Sequence, residues 1–91
     1  MSTTQTAAIT AQNTFTAGAT YNGHFNLSIW GTFVATVFVQ RSFDGGTTWL
    51  DVASYTGPVE DYGFEQENAL YRAGVKTGGF TSGTVNVRLS R

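Results

Sequence analysis

Apolar and polar residues alternate along much of the chain, which is the pattern of half-buried β-strands. The alternation is clearest at Phe25, Leu27 and Ile29 in residues 23–31, at Val37 and Val39 in 34–43, and at Val85, Val87 and Leu89 in 83–90. Weaker patterns predict further strands near 9–17, 48–55, 59–66 and 69–77. Gly, Asn and Asp separate these stretches, and no stretch of useful length has a helical period.

Roughly seven short strands at this spacing predict one small antiparallel β-sandwich of immunoglobulin or fibronectin III type, with a jelly-roll-like sandwich as the alternative. Residues 1–12 are mostly small, polar and uncharged, so we predict a flexible N-terminal arm there and a β-sandwich domain over 13–91. Tyr71, early in the penultimate predicted strand, occupies the place of a tyrosine corner.

The composition excludes several classes of function. The net charge of −1 disfavours a nucleic-acid binder, which usually carries a basic footprint. With no cysteine and one histidine, the chain offers no thiol chemistry, no common zinc site and no nucleophile–base set, so we predict no enzyme activity, metal or cofactor. The N-terminus lacks the pattern of a Sec signal, and no apolar run predicts a membrane span.

The stretch "SFDGGTTW" (42–49) resembles an Asp-box, a motif of sialidases and other sugar-active propellers. A propeller needs several blades of about 40 residues, so a chain of 91 residues holds at most one such hairpin. Each residue has a structural role in a turn: Asp44 accepts backbone amides, Ser42 and Thr47 add local bonds, Gly45 and Gly46 permit positive φ, and Trp49 covers the glycines. We therefore interpret the motif as a structural hairpin and not as a binding site.

Two aromatic residues are out of phase with their strands and are predicted to face outward. Trp30 is off-phase with Phe25, Leu27 and Ile29, and Phe38 with its valine neighbours. Exposed aromatic rings on a surface with only 12% charged residues indicate a subunit interface or a platform for stacking sugars. The interface is favoured because it needs no further polar groups, and a β-bulge that turns one ring inward is the third interpretation.

Two groups of charged residues are candidates for a binding site. We expect Arg72, Lys76 and Arg88 on one outer face of the last two strands, where Arg72 and Arg88 would need a carboxylate between them. That carboxylate is predicted to be Glu65 or Glu67, or else a residue of a partner. The acidic residues Glu60, Asp61, Glu65 and Glu67 suit a calcium site or a carboxylate pair, but their spacing specifies neither, and a solvated, charged edge strand is favoured.

The sequence resembles small β-sandwich structural proteins of tailed bacteriophages. The shared frame falls on Gly31-Thr32, on Thr36 to Gly46 (with Phe38 splitting a Thr-Val-x-Val run), on Leu70-Tyr71-Arg72 and on Ser82 to Leu89. Together these segments cover most of residues 23–91, and they carry the frame of a fold and not a set of binding residues.

The resemblance implies a non-enzymatic component of the virion, made in the host cytoplasm. The role it favours is a capsid decoration, or cement, protein that binds the major capsid protein on the outer shell as a homo-oligomer, with a trimer favoured. A head–tail or tail component that contacts other virion proteins is one alternative, and a small carbohydrate-binding module that stacks glycans on Trp30, Phe38 and Trp49 is another. Neither nucleic acid nor membrane is an expected partner. The expected interface residues are Trp30, Phe38, Arg72 and Arg88.

Overall fold

The computed structural model describes residues 3–91, which form an all-β, antiparallel sandwich. Its nine strands, and no helix, are β1 (Thr4–Ile9), β2 (Thr14–Phe15), β3 (Ala19–Trp30), β4 (Phe33–Ala35), β5 (Val37–Ser42), β6 (Leu50–Tyr55), β7 (Val59–Val75), β8 (Phe80–Gly83) and β9 (Val85–Ser90). The predicted fold class, a small antiparallel β-sandwich, is confirmed.

Two long strands join the layers of the sandwich. Hydrogen bonds run through the order β1-β9-β3-β7-β5-β6, with β2 on β7 and a separate β4–β8 ribbon. The first layer contains β1, β9, residues 23–30 of β3 and residues 59–65 of β7. The second contains the remaining halves of β3 and β7 together with β2, β5 and β6. Both long strands change layer where Asn22 faces residues 66–68, an irregularity that interrupts the register.

The core lies between the layers and follows the alternation seen in the sequence. Val85, Val87 and Leu89 of β9 are fully buried, and each contributes about 1.5–3 kcal/mol relative to an exposed position. The ring of Phe25 in the first layer lies 4.7 Å from that of Tyr71 in the second, measured between centroids. An added Cβ at Gly63 would lie 2.6 Å from the Phe25 ring, so glycine is the residue that leaves space for this contact.

The predicted flexible arm is wrong for the described part of residues 1–12. Residues 4–9 form β1, which pairs along its whole length with β9, from Thr4 with Ser90 to Ile9 with Val85. Ile9 is fully buried in the core, so the arm is the edge strand of the first layer and the domain does not begin at residue 13. The pairing satisfies the outer backbone groups of β9, which would otherwise form an open edge.

Three other predicted boundaries differ from the structure. The strands expected at 59–66 and 69–77 are one strand, β7, because residues 66–68 bend the chain without ending its pairing. The stretch 34–43 is divided between β4 and β5. The loop expected at 77–83 contains β8, which pairs with β4 as a ribbon at one end of the sandwich.

Candidate interaction surface

The Asp-box-like hairpin is held by hydrogen bonds within residues 42–49. The Ser42 hydroxyl donates to Asp44 Oδ1 at 2.7 Å and accepts from the Gly46 amide at 2.9 Å. The Thr48 amide donates to the same Asp44 oxygen at 2.8 Å. These donors, the Thr48 amide first, lower the pKa of Asp44 to about 2. The predicted roles of Ser42 and Asp44 are confirmed, whereas the bond predicted for Thr47 is replaced by that of Thr48.

Trp49 closes the hairpin from the side. A Cβ added at Gly46 would lie 3.6 Å from the indole, and Gly45 and Gly46 both have positive φ, at 74° and 97°. The guanidinium of Arg72 lies 4.3 Å from the centre of the Trp49 ring and 4.0 Å from that of Phe15. Stacking of this kind fixes the hairpin against β7 and β2. The motif is therefore used for internal structure, as its residue types predict.

Phe38 and Arg72, two of the four predicted interface residues, are engaged within the chain. Lys76 Nζ lies 4.2 Å from the centre of the Phe38 ring and forms an ion pair with Asp51. Arg72 Nε donates to the side-chain oxygen of Gln40 at 2.9 Å, in addition to its two aromatic contacts. Both residues lie on the outer face of the second layer, half-buried in this network.

The predicted pairing of Arg72 with Arg88 is wrong. Arg72 pairs across β7 and β5 with Gln40, whereas Arg88 pairs with Thr6 and Ser28 in the other layer. The separation arises because β9 lies between β1 and β3, and not beside the second half of β7. No carboxylate is needed between the two arginines.

Glu65, one of the carboxylates predicted to lie between them, is instead buried near the bend of β7. It accepts from the Tyr71 hydroxyl at 2.7 Å and forms an ion pair with Arg41 Nη1 at 3.2 Å. Burial opposes its ionisation, but the hydrogen bonds from Tyr71, the Glu67 amide and Arg41 outweigh burial and hold its pKa below the ordinary value. Burial, followed by the bond to Glu65, raises the pKa of Tyr71 to about 12. Because that hydroxyl bonds to a side chain and not to the backbone, Tyr71 does not form a tyrosine corner.

The other acidic residues are exposed, as expected of a charged edge strand. Glu60 accepts from the Ser28 hydroxyl at 2.7 Å, and Asp61 accepts from the Tyr55 hydroxyl at 2.9 Å. The Glu67 side chain is exposed beside the bend. Across residues 3–91, no three His, Cys, Asp or Glu side chains are grouped to hold a metal ion.

Trp30 and Arg88, the other two predicted interface residues, share the outer face of the first layer. Trp30 is 46% exposed, as its phase predicts, and pairs with Asn86 of β9. Arg88 lies two residues after Asn86 on β9. It is exposed and forms no ion pair or side-chain hydrogen bond with the described residues. We name this surface the first-layer face. It consists of the outward side chains of its four strands: Thr4, Thr6, Ala8, His24, Asn26, Ser28, Trp30, Glu60, Tyr62, Phe64, Asn86, Arg88 and Ser90.

Two aromatic residues of this face were not predicted from the sequence. Tyr62 and Phe64 of β7 are 74% and 58% exposed, on either side of Gly63. Both are out of phase with Val59, which packs on the core, and this phase is the signal that could have identified them. A shallow open cleft of about 470 Å³ lies beside Tyr62 and is lined also by Asn26, Ser28, Glu60, Arg88 and Ser90.

No family model, curated protein or solved structure matches the chain. The part of the chain that the structure describes contains no helix long and apolar enough to cross a membrane.

Proposed function

We propose that the protein is a non-enzymatic structural component of a tailed-bacteriophage virion, acting as a decoration protein on the outer surface of the capsid. The observation that carries the proposal is the first-layer face. Trp30 and Tyr62 expose large rings on it, and Arg88 has no partner among the described residues. Exposed aromatic rings together with arginine are enriched where proteins contact other proteins.

The resemblance to small phage β-sandwich proteins supports the viral setting. The shared frame includes the hairpin 42–46 and most of β9, which are elements that build the sandwich. A rigid β-domain with few charged side chains suits a subunit that is packed among others on a shell. The major capsid protein is the partner proposed for it.

The alternative of a carbohydrate-binding module is less well supported. It takes Trp30, Phe38 and Trp49 as the residues that stack on sugars. Lys76 covers the ring of Phe38, and Arg72 covers that of Trp49. These two rings also lie in the second layer, away from Trp30, so the three do not form one platform.

Co-sedimentation of the purified chain with capsids that lack it tests the proposal. We expect saturable binding by the unmodified chain and at least about tenfold weaker binding by Trp30→Ala, because a buried aromatic at an interface typically contributes more than 1 kcal/mol. The matched control is Phe43→Ala, which removes a 53% exposed ring from the hairpin, outside the first-layer face. Failure of the unmodified chain to sediment with capsids would exclude a decoration role.

A further inference from the structure

The charged side chains of the first-layer face lie on opposite sides of its central strand. Ser28 of β3 pairs with Arg88 of β9 on one side and with Glu60 of β7 on the other. Adjacent strands are about 4.8 Å apart, so the positive and negative positions are each displaced by about that distance from β3, in opposite directions. Neither Arg88 nor Glu60 forms an ion pair with a described residue.

The shape of the face has the same asymmetry. Two residues along β3, Asn26 pairs with Ser90 on the β9 side and with Tyr62 on the β7 side. Ser90 is small and 9% exposed, whereas Tyr62 protrudes at 74% exposed. Both line the shallow cleft of this face. A protruding ring therefore lies on one side of β3 and a recessed small residue on the other.

Resting on the proposed function, in which the first-layer face is a protein contact, we infer that its partner is a second copy of this chain, related by a two-fold axis that runs along β3. Rotation about this axis brings the β9 side of one copy over the β7 side of the other. Arg88 then faces Glu60 of the second copy, and Ser90 faces its Tyr62. Both contacts occur twice, as an isologous interface requires.

The charges select this axis over the other simple choice. A two-fold axis that crosses the strands at Ser28 would set Arg88 against Arg88 and Glu60 against Glu60, and both contacts would be repulsive. The axis along β3 also brings Trp30 of the two copies together, which removes the largest exposed ring of β3 from water. Two sheets that face each other in this way pack with nearly aligned strands, the common arrangement of sandwiches.

The face is small, so the dimer is expected to be weak. Four strands about 4.8 Å apart present a patch smaller than the roughly 800 Å² per partner of a standard interface. We expect a concentration-dependent dimer with a dissociation constant on the order of micromolar. With the first-layer face covered by the second copy, the shell is bound through another surface of each copy, and two equivalent surfaces raise the apparent affinity of the dimer. Trp30→Ala is therefore expected to weaken capsid binding by separating the dimer.

Charge reversal tests the inference without capsids. Analytical ultracentrifugation of the full chain over a range up to about millimolar measures the dimer constant, within the weak range that proteins display. Arg88→Glu and Glu60→Arg should each weaken the dimer at least about tenfold, because each sets like charges face to face. The double variant Arg88→Glu, Glu60→Arg should recover the dimer, and a mixture of the two single variants should form a mixed dimer. Glu67→Arg, an exposed reversal on β7 outside the face, should have no effect.

Circular dichroism and thermal unfolding of each variant establish that it is folded. A monomer over the whole range, a closed trimer, or a dimer that neither single reversal weakens would overturn the inference. Failure of the double variant to recover, with both single variants weakened, would also overturn it. A chain that binds capsids as a monomer would leave the proposed function intact and reject only the dimer. A dimer that responds to the charge reversals as expected but does not bind capsids would support the inferred dimer and exclude the proposed function.

Discussion

At the scale of single residues, the buried group formed by Glu65, Arg41 and Tyr71 has the most definite electrostatic consequence. The Glu65 carboxylate is 5% exposed, and an ion pair with Arg41 and a hydrogen bond from Tyr71 compensate for its burial. Removing one partner from such a group leaves a buried charge or donor unsatisfied, which costs more than the bond itself contributed. Glu65 lies just before the bend of β7 and Tyr71 lies after it, so their hydrogen bond spans the place where this strand changes layer.

Glu65→Gln should change the pH dependence of stability. The pKa of Glu65 in the folded chain lies below its ordinary value of 4.5, so the ionised carboxylate stabilises the fold above that value. This stabilisation is lost as the pH falls through the lower native pKa. The variant should unfold more easily at neutral pH, by about 1–3 kcal/mol, and should lose less further stability on acidification.

Thermal melts of the unmodified chain and of Glu65→Gln between pH 7 and pH 2 check this prediction. Glu67→Gln serves as the control because its carboxylate is exposed two residues along the same strand. Asp44, Asp51 and Asp61 also have lowered pKa values, so both proteins retain part of the acid transition. If acidification lowered the melting temperatures of Glu65→Gln and of the unmodified chain by the same amount, the role given to this carboxylate would be contradicted.

At the scale of elements, the edge strand β1 is the feature that alternation alone did not reveal. Its inward residues are Gln5, Ala7 and Ile9, and the outward ones are Thr and Ala, so residues 1–12 carry little apolar signal. The strand forms because β9 provides a complete row of hydrogen-bonding partners and because Ile9 fills a space in the core. Both causes depend on residues almost the whole length of the chain away.

Ile9→Ala should destabilise the whole domain. Deleting this much of a fully buried side chain costs about 2–5 kcal/mol, depending on how far the core relaxes. Thr6→Ala, on the exposed side of the same strand, should change stability by no more than about 0.5 kcal/mol. Urea unfolding measures both values. Equal midpoints for Ile9→Ala and the unmodified chain would mean that β1 is not docked on the core.

At the scale of the whole molecule, the sequence predicts which side chains point inward but not which strands are neighbours. The phases of Phe25, Val39 and Val87 are correct because period-two burial is local. The positions of Arg72 and Arg88 were wrong because the place of β9 in the sheet is set by long-range pairing. Of the four predicted interface residues, Phe38 and Arg72 therefore contact other side chains of the second layer, whereas Trp30 and Arg88 are exposed on the first.

The hairpin 42–49 illustrates the opposite case. Its hydrogen bonds join residues at most four apart, so residue types alone were sufficient to predict most of them. The cover that Arg72 provides for Trp49 was not predictable, because it comes from a strand paired later in the chain. Hydrogen bonds between near neighbours can be predicted from the sequence, whereas the contacts that cover or expose a surface depend on the complete fold.

We propose that this sandwich decorates the outside of a phage capsid. Cryo-electron microscopy of capsids saturated with the purified chain tests it most directly, because it also separates the shell from the neck and the tail. We expect density for the domain at repeated positions on the outer shell, where coat subunits meet. Density confined to the neck or the tail, or no added density at all, would contradict it.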